Sequence, residues 1–196
     1  MTLNDLPELE KVLAAAIHRL NRAYTAWLLG GSCSLLLQDV KLDKPPRDID
    51  LYTDAEGVHP LHETLASAAV DAPRLDQEGM YSSILSHYVI NEVPIELVGS
   101  FQINSSGSSY RVEIESLLYQ AAPESRIRDA AVRLMPLSHE LVFNVLRDRQ
   151  DRYEAIGEAI LKDKDNHIPL LQQLISRNRL SVEHLEILNR LMGLQL

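Results

Sequence analysis

A mixed α/β fold is what this 196-residue sequence predicts: a β-sheet flanked by helices, followed by a small C-terminal helical bundle. Three observations carry that expectation. Leu6, Leu9, Val12, Leu13, Ala16, Ile17, Leu20 and Tyr24 recur at three- and four-residue spacing, the pattern of an amphipathic helix. Short runs of strand length then alternate with turn-forming residues as far as about position 115. From Ser138 onward the apolar spacing is helical again. The division falls at 123/124, giving an α/β domain over 1–123 and a helical region over 124–196 packed on it.

After the first helix, Ala26-Trp27-Leu28-Leu29 is an apolar run of strand length, closed by Gly30-Gly31-Ser32. Two glycines let the backbone turn tightly and approach a ligand closely. Ser32 suits a helix N-cap ahead of 33–38. Strand, glycine turn and helix start together offer free N–H groups that suit a phosphate. Residues 39–47 form a polar, proline-bearing loop. Asp48-Ile49-Asp50-Leu51-Tyr52-Thr53 follows as a strand, in which residues two apart share a face. Asp48 and Asp50 therefore point together, with Ile49 and Leu51 on the other side. Two carboxylates on one face beside a phosphate-binding turn make a Mg²⁺ site.

A second helix is expected over 57–70, with Leu61, Leu65, Ala68 and Ala69 inward. Residues 81–90 are rich in β-formers, and Asn91-Glu92 makes a hairpin turn into 94–98, with Pro94 acceptable as a first strand residue. The run 99–109, containing Asn104-Ser-Ser-Gly-Ser-Ser109, reads as the clearest loop in the chain. Residues 110–115 alternate as a further strand would. In the helical region, Leu141, Val142, Val145 and Leu146 form a stripe that Tyr153, Ile156, Ile160 and Leu161 continue, and Ser181 is placed as N-cap of a last helix.

These residues resemble the nucleotidyltransferase superfamily that includes DNA polymerase β, the tRNA CCA-adding enzymes and the small antibiotic and toxin–antitoxin nucleotidyltransferases. The resemblance rests on Leu29-Gly30-Gly31-Ser32, on Asp48-Ile49-Asp50 with fifteen residues between it and Ser32, and on Glu96 in Pro94-Ile95-Glu96-Leu97-Val98. It covers the first half of the chain well and the remainder loosely. It implies a nucleotidyltransferase domain in which Asp48, Asp50 and Glu96 are catalytic and hold two Mg²⁺ ions. Gly30, Gly31 and Ser32 would cradle the triphosphate, with Arg47, Arg147 and Arg149 supplying positive charge. The expected reaction moves an NMP, AMP first, from an NTP (ATP favoured) to a hydroxyl on a partner protein, a small molecule or a tRNA end. A CCA-adding role is disfavoured, because those enzymes follow the glycines with an Arg-Asp pair where this chain has Ser34-Leu35. Relatives carry a lysine where this chain has Asn144. That difference keeps open the alternative of a nucleotide-binding or regulatory protein without catalysis.

Bland readings stand beside these. Asp-Ile-Asp alone is commonly a strand end reaching solvent, a Gly-Gly-Ser turn alone is an ordinary strand-to-helix turn, and Arg47 beside Asp48 reads more readily as a surface ion pair than as a phosphate contact. Arg179-Leu-Ser-Val-Glu-His184 matches the Arg-x4-His run of HEPN ribonucleases, but the helical stretch is too short for that domain. His59 and His62 are expected at the surface.

Composition narrows the class further. Residues 1–123 carry 8 Lys/Arg against 17 Asp/Glu, whereas 124–196 carry 11 of each, for a net charge of −9. So acidic a chain is a poor ligand for duplex nucleic acid. One cysteine, Cys33, excludes an internal disulfide and fits a reducing cytoplasm. No apolar run is of membrane-spanning length, and the first residues do not read as a signal peptide.

Overall fold

The computed structural model describes residues 2–194. Helix α1 (Pro7–Leu20) starts on a proline, whose missing N–H costs nothing in a first turn, and buries Leu9, Val12, Leu13, Ala16, Ile17 and Leu20. The expected stripe ends there. A 3₁₀ turn (Asn21–Ala23) leads into Tyr24, whose φ of 51° reverses the chain and leaves its ring 97% exposed. Strand β1 (Leu28–Gly30) runs into helix α2 (Gly31–Leu37), and strand β2 (Ile49–Thr53) follows the polar loop. The helix starts two residues earlier than expected. Gly30 is the N-cap, and Ser32 lies inside the first turn, where its hydroxyl makes no cap.

Helix α3 (Ala55–Leu65) buries Val58, Leu61 and Leu65 and fades into a 3₁₀ turn (Ala66–Ala68), so Ala69 lies outside it and exposed. Strand β3 (Arg74–Asp76) is a short edge that the sequence did not announce. Strands β4 (Tyr81–Ile90) and β5 (Val93–Ser105) form the expected hairpin. Asn91 and Glu92 both take left-handed φ, 48° and 67°, between the paired Ile90 and Val93. That is the turn whose twist matches a two-residue hairpin.

The expected loop at 99–109 is instead ordered structure. Strand β5 continues to Ser105, turns at Ser106-Gly107 and returns as β6 (Ser108–Arg111), paired from Gln102↔Arg111 to Ser105↔Ser108. Asn and Ser have low strand propensity. Buried Phe101, Ile103 and Tyr110 fix the register all the same, and buried Ser108 finds partners for its hydroxyl.

The sheet runs β1-β2-β5-β4-β3, with β6 added to the far end of β5; β2 and β5 are parallel and the other pairs antiparallel. A π-helical turn (Ile114–Leu118) follows, its first amides capped by the Asp54 carboxylate at 3.0 and 2.8 Å. The short helix α4 (Tyr119–Ala121) leads to a second hairpin, β7 (Glu124–Ile127) and β8 (Ala130–Arg133). Residues 124–133 are therefore strand rather than helix. The chain just after them docks on β1, where the Met135 N–H donates to the Leu29 carbonyl at 2.7 Å. Helices α5 (Leu137–Leu146), α6 (Gln150–Leu161), α7 (Lys164–Arg177) and α8 (Val182–Met192) complete the chain. Ser181 caps α8 as expected, accepting the His184 N–H.

The sheet separates two cores. Ile49, Leu51, Ile95 and Leu97 face α1 and α3; Leu28, Tyr52 and Val98 face the C-terminal helices. Helix α5 is buried along every residue, which fixes it over the second face. Each fully buried Leu or Ile contributes roughly 1.5–3 kcal/mol, so α5 is held firmly against the sheet. Among the described residues no helix is long and apolar enough to cross a membrane.

Candidate active site

Period-two alternation puts Asp50 and Tyr52 of β2 on the face covered by α5, and the parallel register places Glu96 beside Asp50. Gly30 of β1 is the antiparallel partner of Asp50 on its other side. Glycine, aspartate and glutamate thus stand in one row across three strands. Asp48 lies just before β2, where the Cys33 thiol donates to its carbonyl at 3.3 Å. Burial pushes that thiol's pKa up, so it stays protonated and holds the entry to the strand.

The glycines are required by this row. Gly31 sits at φ +59°, and a Cβ there would come 1.8 Å from Asp50 Oδ2. A Cβ on Gly30 would meet the Tyr52 ring at 2.5 Å. The turn is therefore shaped so that the Asp50 carboxylate passes directly over its backbone.

Helix α5 closes the site from above. Glu140 is buried and accepts the Gly31 N–H at 3.1 Å, while Asn144 Nδ2 donates to the Glu140 main-chain carbonyl at 2.8 Å and to Oε2 at 3.4 Å. Arg147 stacks over Phe143, 4.7 Å from the ring centroid, and reaches toward Tyr81. Arg149 is held by Asp151 through bonds of 3.0 and 2.8 Å. Arg152 Nη2 donates to Ser32 Oγ at 3.2 Å.

A cavity of about 320 Å³ collects these groups: Gly31, Ser32, Asp48, Asp50 and Glu96 on the sheet side, Glu140, Asn144, Arg147, Arg149 and Arg152 on the helix side. Arg47 is exposed and outside that lining, and Gly30 sits beneath it. Burial, then Asp48 and Glu96, push the Asp50 carboxyl up to about 7, with Arg147 and Arg152 opposing. Burial likewise pushes Glu140 up to about 7, against the Gly31 N–H. One side of the cavity holds crowded acids and the other holds arginines, an arrangement suited to a polyanion carried with a cation.

A second cleft of about 220 Å³ adjoins the first and shares Asp50, Glu96 and Arg147 with it. Its far wall is Asp76, Ser83 and the stacked Tyr81–Phe101 pair, 5.8 Å between centroids. Neither Glu140 nor this aromatic wall was read from the sequence. Glu140 lies in a helix buried on every side, so no polar face singles it out. His59 is a surface residue as expected, paired with Glu63, while His62 is hydrogen-bonded to the Tyr88 hydroxyl at 2.7 Å.

The architecture matches solved nucleotidyltransferase structures. A provisionally assigned nucleotidyltransferase of Thermotoga maritima superposes with a TM-score of 0.62 at 19% identity, over 80% of this chain and 94% of that one. ANT(2″)-Ia in complex with adenylyl-2″-tobramycin gives 0.52 at 12% identity, over 87% and 98%. A solution structure of the same antibiotic-resistance factor gives 0.51 at 15% identity, over 92% and 98%. No family model matches the sequence, and no curated protein matches it. The chain has the nucleotidyltransferase fold, in agreement with the resemblance carried by its glycine turn and paired aspartates.

Proposed function

We propose that this chain is a Mg²⁺-dependent nucleotidyltransferase that moves an NMP, AMP first, from an NTP to an acceptor hydroxyl and releases pyrophosphate. The observation that carries this reading is the row Gly30, Asp50, Glu96 across three strands, with Asp50 and Glu96 facing three arginines in one cavity. By donor chemistry the set fits the metal: Asp48, Asp50 and Glu96 offer hard oxygen ligands, and the repulsion of Asp48 and Glu96 on Asp50 would be relieved by a divalent cation. Bound there, Mg²⁺ supplies charge neutralisation at the reacting phosphate and lowers the acceptor hydroxyl's pKa.

The chain's own residues do the rest. Asp48 and Asp50 would hold the metal, with Glu96 completing the set. Gly31 N–H, Ser32 Oγ and Arg152 would bind phosphate oxygens, while Arg147 and Arg149 neutralise the departing pyrophosphate. Glu96 lines both clefts, so it takes up the acceptor's proton. The adjoining cleft is small, aromatic-walled and acidic, which supports a compact hydroxylated acceptor with a flat or cationic face over a tRNA end. The adenylylated tobramycin bound to ANT(2″)-Ia supports trying small molecules first. A toxin–antitoxin partner protein is the next acceptor class to test.

One observation favours a second reading, a nucleotide-binding protein without catalysis. Among the described residues, no three or more His, Cys, Asp or Glu side chains converge closely enough to hold a metal by themselves. Calorimetry with MgATP decides between the two, on the natural protein and on Asp48→Asn/Asp50→Asn. Mg²⁺-dependent ATP binding that vanishes in the double variant, with pyrophosphate released on adding an acceptor, supports the enzyme. ATP binding indifferent to Mg²⁺ and to both aspartates supports the rival.

A further inference from the structure

Glu140 occupies a position that the proposed chemistry leaves no room for. Its Oε1 accepts the Gly31 N–H at 3.1 Å, and that N–H is the backbone donor the glycine turn would present to a phosphate. The carboxylate is almost fully buried. It shares that cavity with Ser32, Arg147 and Arg152, the groups placed to bind a triphosphate. Arg147 and Arg152 lie close enough to favour its charged form. A carboxylate oxygen and a phosphate oxygen have the same acceptor chemistry, and one N–H at this geometry serves only one of them.

Glu140 also has a place to go. Its Oε2 already lies 3.4 Å from Asn144 Nδ2, one helical turn along α5. Rotation of the carboxylate toward that amide would release Gly31 without moving the helix. Helix α5 itself is buried throughout, so the exchange falls to the side chain.

We propose that Glu140 is an internal occupant of the triphosphate seat, displaced by the incoming nucleotide, and that it thereby sets nucleotide affinity. The inference rests on the nucleotidyltransferase reading above. Glu140 is on this account a positioning residue: it holds the glycine turn in shape while the site is empty and lowers affinity by competing for it. The bound form is only the fraction of molecules in which the carboxylate has swung away, which scales the apparent affinity directly.

Glu140→Gln tests this, because glutamine keeps the size and the acceptor oxygen but loses the charge. Calorimetry on the full chain with MgATP, and separately with Mg-tripolyphosphate, is expected to show binding about tenfold tighter in E140Q than in the natural protein. Binding that is unchanged or weaker in a variant that melts cooperatively and no lower than the natural protein overturns the proposal and leaves the enzyme reading standing. No binding of either probe by either protein removes both. A second measurement needs no variant: tripolyphosphate is expected to shift the carboxylate carbon resonance of Glu140 together with the Gly31 amide. A Glu140 signal that stays fixed while the Gly31 amide moves overturns the displacement.

Discussion

Asp50 lies so directly over Gly31 that any side chain on the glycine would collide with its carboxylate, a Cβ coming 1.8 Å from Oδ2. The same glycine holds a left-handed φ of +59°. Gly31→Ala therefore meets two penalties at once. The backbone conformation alone costs an L-residue about 1–2 kcal/mol. The collision displaces Asp50, so the loss of nucleotidyl transfer is expected to exceed 100-fold, an estimate on the order of what a misplacement of about 1 Å costs. Urea unfolding and a pyrophosphate-release assay on the same preparation check both parts. Gly79, also left-handed but with open space around it, is the control: Gly79→Ala should show the backbone term and leave transfer unchanged.

Stability should fall as the pH rises through the range in which the buried acids ionise. Asp50 and Glu140 are both pushed up to about 7 from ordinary carboxylate values, so between about pH 4 and 7 the folded chain holds protons that the unfolded chain has released. Stability contributed by these groups is present below pH 4–5 and lost progressively as the pH climbs to 7 and beyond. Glu140→Gln removes one of the two. Its melting temperature at pH 8 should exceed that of the natural protein by roughly 2–4 °C per kcal/mol regained, with a smaller gap at pH 5.5. Equal gaps at the two pH values would contradict the assignment of the charge to Glu140.

Arg152 joins the helical region to the glycine turn through Ser32 Oγ at 3.2 Å. Removing it takes away a cation placed for phosphate and leaves Ser32 available to water. Arg152→Ala should weaken MgATP binding by about tenfold, the usual scale for one charge-assisted contact. Arg152→Lys keeps the charge without the fork and should recover only part. Arg47, exposed and away from the cavity, serves as the comparison, and Arg47→Ala should leave ATP affinity within about twofold.

Legibility in the sequence followed the physics of each signal. The alternation of Asp48, Asp50 and Tyr52 against Ile49 and Leu51 is local, and it was enough to place both carboxylates on one face. That Glu96 stands beside Asp50 depends on a parallel pairing of β2 with β5 across more than forty intervening residues, for which the resemblance was the only guide. The serine-rich run misled because propensity is weak where ladder pairing and three buried aromatic and aliphatic neighbours decide. Tyr24 fitted the helical spacing and was lost to a backbone reversal that spacing cannot see. Glu140 was hidden for the opposite reason: its helix is buried all round, so periodicity gave no polar face on which an acid would stand out.

His184 carries the last expectation, and it separates a structural histidine from a catalytic one. Its Nδ1 lies 2.7 Å from Ser108 Oγ and 3.1 Å from Ser181 Oγ, and the Ser181 N–H donates to Ser108 Oγ at 2.8 Å. Histidine and Ser108 are both buried, so the cluster joins the β5–β6 hairpin to the start of α8 away from solvent. Arg179 meets Ser109 through reciprocal backbone bonds of 2.7 and 3.1 Å, which is again a structural role. The Arg-x4-His spacing therefore marks a fastening point. His184→Ala leaves Ser108 without its buried side-chain partner and should destabilise the chain by about 1–3 kcal/mol. Chemical denaturation gives that figure. A ribonuclease assay on the natural protein with a single-stranded RNA should show no cleavage, and cleavage abolished by His184→Ala at unchanged stability would return the motif to catalysis.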